Sequence, residues 1–167
     1  MDVALKGEKF ETNGPIPEVG DNAPSFNLKN LKNEDVKLSD FVGEVVILST
    51  FPDIVTSTCA RQTDTFNEEA KNLSNTTVLS ISTNTVEQQS EWGQSKDVET
   101  ILLHDGERTF AKEYGLYIKR LDKIARAVFV LNRHGQIVHR EIVKEMSGDP
   151  HFEEALSAAR HEEAELS

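Results

Sequence analysis

FPDIVTSTCARQTDTFN, residues Phe51 to Asn67, joins a strand to a helix and holds the one cysteine of the chain, Cys59. The apolar run Val45-Val46-Ile47-Leu48 just upstream reads as a buried strand, and Pro52, which lacks an N–H, cannot continue a central strand. Cys59, Thr63, Phe66, Ala70 and Leu73 recur at helical spacing, which predicts a helix from about Thr58 to Leu73. Thr56, Ser57 and Thr58 are each competent N-caps. The thiol is therefore expected in the first turn of a helix that follows a buried strand. Backbone N–H groups without helical acceptors favour an anion there, and the thiolate is the reactive form of cysteine. The alternative is an inert small hydrophobe, the usual fate of a lone intracellular cysteine.

Composition bounds the partners. The 167 residues suffice for one domain, residues 1–167, with a hairpin in 1–15 and a flexible tail at 162–167. A formal net charge of −11 excludes nucleic acid and anionic membrane as natural partners, because both demand a basic face. There is no apolar run long enough to cross a bilayer, and the start, MDVALKGEKF, lacks a signal-peptide pattern. One cysteine excludes an intrachain disulfide and fits a reducing compartment, so a cytoplasmic location is expected.

Moving outward along the chain, Val3 to Lys6 and Lys9 to Thr12 flank Gly7-Glu8 as the arms of a β-hairpin. Val19 to Leu28 is a loop leading into a short strand, and Lys37 to Gly43 is a strand end followed by one helical turn. Beyond the Cys59 helix, Thr77 to Ser82 reads as a buried strand, Thr85 to about Lys96 as a polar amphipathic helix, and Thr100 to Leu103 as a short strand. Thr109 to Gly115 is a brief helix closed by glycine. Ala127 to Leu131 is apolar throughout, as a strand covered on both faces must be, and Asn132 to Gly135 turns it into a second arm, Gln136 to Val143. Phe152, Ala155, Leu156 and Ala159 mark one face of a closing helix. This order predicts an α/β fold, a mixed central sheet flanked by helices on both faces, preceded by a hairpin. By itself it does not separate one three-layer fold from another.

Other chemistry finds little support. The five histidines show no ligand spacing, so neither a metal site nor a cofactor is expected. A papain-like hydrolase would need a histidine brought near Cys59, which nothing local suggests. Glu68-Glu69 and Glu162-Glu163 read as solvated helix faces. Arg126 stands at the start of the apolar run Ala127 to Leu131, where a charge needs a partner or water. It is either a surface arginine at a strand end or part of a site.

The spacing Pro52-x-x-x-Thr56-x-x-Cys59 resembles the peroxidatic motif of peroxiredoxins. The likeness narrows to the thiol peroxidase branch through the Leu5-Lys6-Gly7 hairpin, Val19-Gly20-Asp21-Asn22-Ala23-Pro24-Ser25-Phe26 and the segment Ala125 to Leu131, and it extends to Asp149 to Leu156. The resemblance implies a thioredoxin-like three-layer fold and a hydroperoxide substrate. It also implies that Cys59 thiolate attacks the peroxide and becomes a sulfenic acid. Arg126 would stabilise the thiolate and hold a peroxide oxygen, Thr56 would orient sulfur and substrate, and Pro52 would shield the sulfur. Phe51 would neighbour the pocket. A homodimer is implied as well.

Three departures stand out. The second, resolving cysteine of typical thiol peroxidases is absent; counting back from Ile101, its position falls on Trp92. Thr85-Val86-Glu87-Gln88 replaces an apolar Pro-Phe-containing segment, and Val55 replaces the usual aspartate. The expectation is a one-cysteine peroxidase recycled by an external thiol, a thioredoxin-like protein or a small thiol. The alternative is a redox sensor or binding protein that keeps the fold and turns over poorly.

Overall fold

A computed structural model describes residues 1–54, 57–93 and 101–165. The hairpin consists of β1 (Asp2–Leu5) and β2 (Glu8–Glu11), one residue earlier than the alternation suggested, because Lys6 and Gly7 make the turn. Both have positive φ, 51° and 85°, the two-residue turn that matches strand twist and that glycine adopts without strain. The chain continues through β3 (Asn27–Lys29), β4 (Asp35–Lys37) and a 3₁₀ turn at Leu38–Phe41 to β5 (Val45–Thr50). Then come α1 (Ser57–Ala70), β6 (Thr76–Ser82), α2 (Val86–Gly93), β7 (Ile101–His104) and α3 (Thr109–Glu113). The pairs β8 (Tyr117–Ile118) with β9 (Lys123–Ile124), and β10 (Ala127–Leu131) with β11 (Ile137–Ile142), precede α4 (Phe152–Glu165).

Seven strands form the central sheet in the order β11-β10-β5-β6-β7-β3-β4. The middle three, β5, β6 and β7, are parallel, and the pairs flanking them are antiparallel. Parallel neighbours need crossovers, and α1 and α2 supply them. Every residue of β5 and of β10 is buried, and their side chains alternate between two cores. Val45, Ile47, Val128 and Val130 point to one face, where Phe66 of α1 and Ala155, Leu156 and Ala159 of α4 cover them. Phe66 meets Phe152 edge-on at 5.3 Å. Val46, Leu48, Phe129 and Leu131 point to the other face, against Phe110 and Tyr114 of α3 and Val3 and Phe10 of the hairpin. A short helix and a hairpin thus cover this second face. Asp105 accepts from the N–H groups of Phe110 and Ala111 and so fixes the start of α3; burial nonetheless pushes its carboxyl above the usual range.

Differences from the sequence expectation have local causes. Helix α1 stops at Ala70 rather than Leu73, because Lys71, Asn72 and Leu73 donate to the carbonyls three residues back and tighten the last turn. Helix α4 runs to Glu165, into the segment expected to be a tail. Glu163 is not simply solvated: its carboxylate accepts from Asn75 N–H at 2.8 Å and from the Thr76 hydroxyl at 2.5 Å, joining α4 to the start of β6.

The segment that leaves the hairpin passes close against Gly115. This residue has φ of +69°, and a Cβ there would meet the Pro15 carbonyl oxygen at 2.1 Å. Gly115→Ala combines left-handed strain with a backbone collision, so it should lower unfolding free energy by about 1–3 kcal/mol or more. Chemical denaturation of the two proteins measures this, and equal stability would show that the close approach is not maintained in solution.

Candidate active site

The carboxyl end of β5 opens into a loop, and in sheets of this kind the crevice beyond the carboxyl ends of parallel strands is where ligands gather. Phe51 is fully buried immediately after β5, and Ile54 and Cys59 pack with it into a small apolar cluster. Trp92, near the end of α2, packs against the same cluster. Pro52 stands on this loop, half-buried between Phe51 and Asp53. Thr56 and Val55 lie outside the described residues. Cys59 is the third residue of α1 and 1% exposed. Its first-turn position aims the helix's opening N–H groups at the same space as the sulfur.

Arg126 enters from the neighbouring strand. It precedes β10 and sits on the face that Val128 and Val130 share with α1. It is 2% exposed, so the surface-arginine reading does not hold. Its Nη2 donates to Cys59 Sγ at 3.1 Å and to the Met146 carbonyl at 2.7 Å. Its Nε donates to the same carbonyl at 3.0 Å, and Nη1 donates to Gln62 Oε1 at 2.7 Å. A buried guanidinium is tolerable because these acceptors replace water.

Two of those partners were not singled out from sequence. Gln62 follows Cys59 by three residues, so the two lie on one face of α1. It is fully buried, and its Nε2 donates to Ser49 Oγ at 2.7 Å and to the Thr50 carbonyl at 3.1 Å. The guanidinium is thereby tied through α1 to β5. The fully buried polar pair Ser49 and Thr50 at the end of a strand was the available signal, since buried hydroxyls demand partners. Thr50 Oγ1 donates to the Ala125 carbonyl at 2.8 Å, fixing the backbone next to Arg126. Met146 acts through its carbonyl, which its side chain does not advertise.

The loop after β5 is fastened from its other side by Asn84. Its Oδ1 accepts from Ile54 N–H at 2.7 Å, while its Nδ2 donates to Asp53 Oδ1 at 2.8 Å and Gln88 Oε1 at 2.9 Å. Gln88 also accepts from Thr85 N–H, and Thr85 Oγ1 accepts from Gln88 N–H. The segment that departs from the family pattern is thus a reciprocal N-terminal cap for α2. A cavity of about 1030 Å³ lies elsewhere, lined by Lys9, Phe10, Lys112 and Arg120 among others, and contains none of these residues.

Comparison with known proteins bears on family and fold. Residues 19–140 match the AhpC/TSA family. The thiol peroxidase of Listeria innocua serovar 6a is 41% identical over 160 residues, covering 95% of this chain and 97% of that protein. The thiol peroxidase of Bacillus subtilis is 34% identical over 161 residues, covering 95% and 96%. The crystal structure of a peroxiredoxin-like protein from Aquifex aeolicus superposes with a TM-score of 0.90 at 24% identity, over 99% of this chain and 97% of that one. A thiol peroxidase from Chromobacterium violaceum gives 0.85 at 18% identity, over 99% and 98%. The mixed sheet with its N-terminal hairpin is the thioredoxin-like peroxiredoxin fold, and the chain belongs to the AhpC/TSA family, in its thiol peroxidase branch.

Proposed function

We propose that the chain reduces hydrogen peroxide or organic hydroperoxides through Cys59, by a one-cysteine mechanism in which an external thiol restores the enzyme. The observation that carries this reading is the buried Arg126 guanidinium, whose Nη2 lies 3.1 Å from the sulfur. A cation at that distance can pair with a negatively charged sulfur and with a peroxide oxygen beside it. Cys59 thiolate attacks the terminal oxygen of the peroxide; an S–O bond forms and the O–O bond breaks. The leaving oxygen keeps the bonding pair, takes a proton and departs as water or alcohol. Sulfur loses two electrons and the peroxide gains them, leaving a sulfenic acid. Arg126 and the opening N–H groups of α1 stabilise charge growing on the oxygens. A thiol then attacks the sulfenic acid, expelling water and forming a mixed disulfide, and a second thiol releases Cys59 as that disulfide leaves.

The roles of Thr56, orienting sulfur and substrate, and of Pro52, shielding the sulfur, rest on their motif spacing. The reductant is a thioredoxin-like protein or a small thiol. We take the chain as one domain, working as a homodimer in the cytoplasm; among the described residues no helix is long and apolar enough to cross a membrane. Sedimentation showing monomer alone at micromolar concentration would remove the dimer.

Cys59→Ser should abolish rapid peroxide reduction and leave the circular dichroism unchanged; a serine variant consuming peroxide at the wild-type rate would sink the reading. Losing the Arg126 cation at the sulfur should cost more than losing its geometry. Arg126→Gln should slow the single-turnover peroxide reaction by about a hundredfold, comparable to removing one donor from an oxyanion site. Arg126→Lys keeps the charge without the planar fork and should fall between. Wild-type rates for both would return Arg126 to a structural role. With one cysteine, peroxide treatment should add one oxygen to the intact mass, or a thiol adduct when a thiol is present. A monomer lighter by two hydrogens would contradict the one-cysteine route. Multiple turnover with a supplied thiol separates an enzyme from a sensor that oxidises once.

A further inference from the structure

The carbonyl that Arg126 leans on belongs to a segment, Lys144 to Asp149, that four different parts of the chain hold. Ala4 of β1 bridges it as an added strand residue: its N–H donates to the Lys144 carbonyl at 2.6 Å, and its carbonyl accepts from Met146 N–H at 2.7 Å. Gly7, in the hairpin turn, donates its N–H to Glu145 Oε1 at 3.0 Å. From α1, Thr58 Oγ1 donates to the Ser147 carbonyl at 3.1 Å, and the Arg61 guanidinium grips both carboxylate oxygens of Asp149. Arg126 completes the set with its two hydrogen bonds to the Met146 carbonyl.

Met146 is therefore a relay one residue long. Its N–H is held by the hairpin, and its carbonyl holds the guanidinium. The Nη2 group that donates to this carbonyl is the same one that faces Cys59 Sγ. Movement of the carbonyl has to turn the fork relative to the sulfur. In a strand a residue's N–H and C=O point to the same side, so Ala4 can give both to this segment without breaking the β1–β2 ladder. The hairpin thus holds the acceptor that orients the cation beside Cys59.

We propose that the N-terminal hairpin is a positioning element for the peroxide reaction, with Ala4 and Glu145 as positioning residues that act through the Met146 carbonyl on Arg126. The inference rests on the reading of Cys59 and Arg126 as the reacting pair. Misplacing a reactive group by a fraction of an ångström costs rate without removing it. A cation held slightly off line still attracts a negatively charged sulfur, because charge attraction is tolerant of angle in a way that hydrogen bonding to a peroxide oxygen is not. The signature is thus a split between two reactions of the same sulfur.

The experiment uses Ala4→Pro, which deletes the N–H to Lys144, and Glu145→Ala, an exposed side chain whose loss spares the core. Each is made alone and with Arg126→Gln. Single-turnover reaction with hydrogen peroxide and alkylation by iodoacetamide are measured on each, with denaturant unfolding alongside. Ala4→Pro should slow the peroxide reaction by about tenfold and Glu145→Ala by about threefold, while alkylation stays within about twofold. In the Arg126→Gln background both effects should shrink below about twofold, as expected for groups acting in series. Should Ala4→Pro fail to fold, Glu145→Ala decides by the same criteria. Equal slowing of peroxide and alkylation, or undiminished slowing without Arg126, would mean general loosening and overturn the proposal. A slow Arg126→Gln together with wild-type rates in both Ala4→Pro and Glu145→Ala would sink the hairpin's role alone. A wild-type rate in Arg126→Gln would instead fail the site reading and take this inference with it.

Discussion

A guanidinium removed from water beside a thiol is the constraint around which this structure is built. Desolvating such an ion costs several kcal/mol even after relaxation, and an unmet N–H would add to that. The fold meets the cost with acceptors from three separate places: the Met146 carbonyl, the Gln62 amide oxygen and the sulfur itself. Each acceptor has to be immobilised in turn. Gln62 is fixed by Ser49 and Thr50, and Met146 by the hairpin. Lysine in place of Arg126 could not serve these acceptors together, because a single ammonium lacks the spread of the fork.

The same requirement explains why β5 ends as it does. Val45 to Leu48 are apolar on both faces, as expected for a central strand covered on both sides. Ser49 and Thr50 are just as deeply buried but polar, and both hydroxyls are used at once. Replacing them with valines would suit the sheet and leave Gln62 Nε2 and the Ala125 carbonyl short of partners. Where β5 stops being a plain core strand, the site begins. Phe66, fully buried and set edge-on to Phe152, holds the rest of α1 against the sheet so that its first turn stays aimed.

Much of this was legible in the sequence because it is periodic. The apolar run before Pro52, the helical recurrence from Cys59 to Ala70 and the all-apolar Ala127 to Leu131 each reflect burial imposed by regular geometry. The two-residue pairs β8 and β9 were not legible, since strands that short carry no period. Nor was the burial of Arg126: a charge at a strand end has the same local appearance whether solvent or a carbonyl twenty residues away receives it. Only the family likeness distinguished the two. The Met146 carbonyl was beyond any residue-type argument, because every residue has a carbonyl and tertiary structure alone chooses which one matters.

The second helix shows how a site can change its chemistry while keeping its walls. In typical relatives the helix after β6 carries a thiol that resolves the oxidised cysteine; here it carries Trp92, packed on Phe51, Ile54 and Cys59. The capping pair of Thr85 and Gln88 starts this helix, and Asn84 binds its start to the loop bearing Asp53 and Ile54. These bonds make the helix and the loop one wall. A cysteine that is 1% exposed behind such a wall suits a substrate as small as a peroxide. A thiol attacking the sulfenic acid is a different matter, because its sulfur must approach along the line of the S–O bond it breaks. The bonds of Asn84 to Ile54, Asp53 and Gln88 are what tie the loop and α2 together beside Cys59.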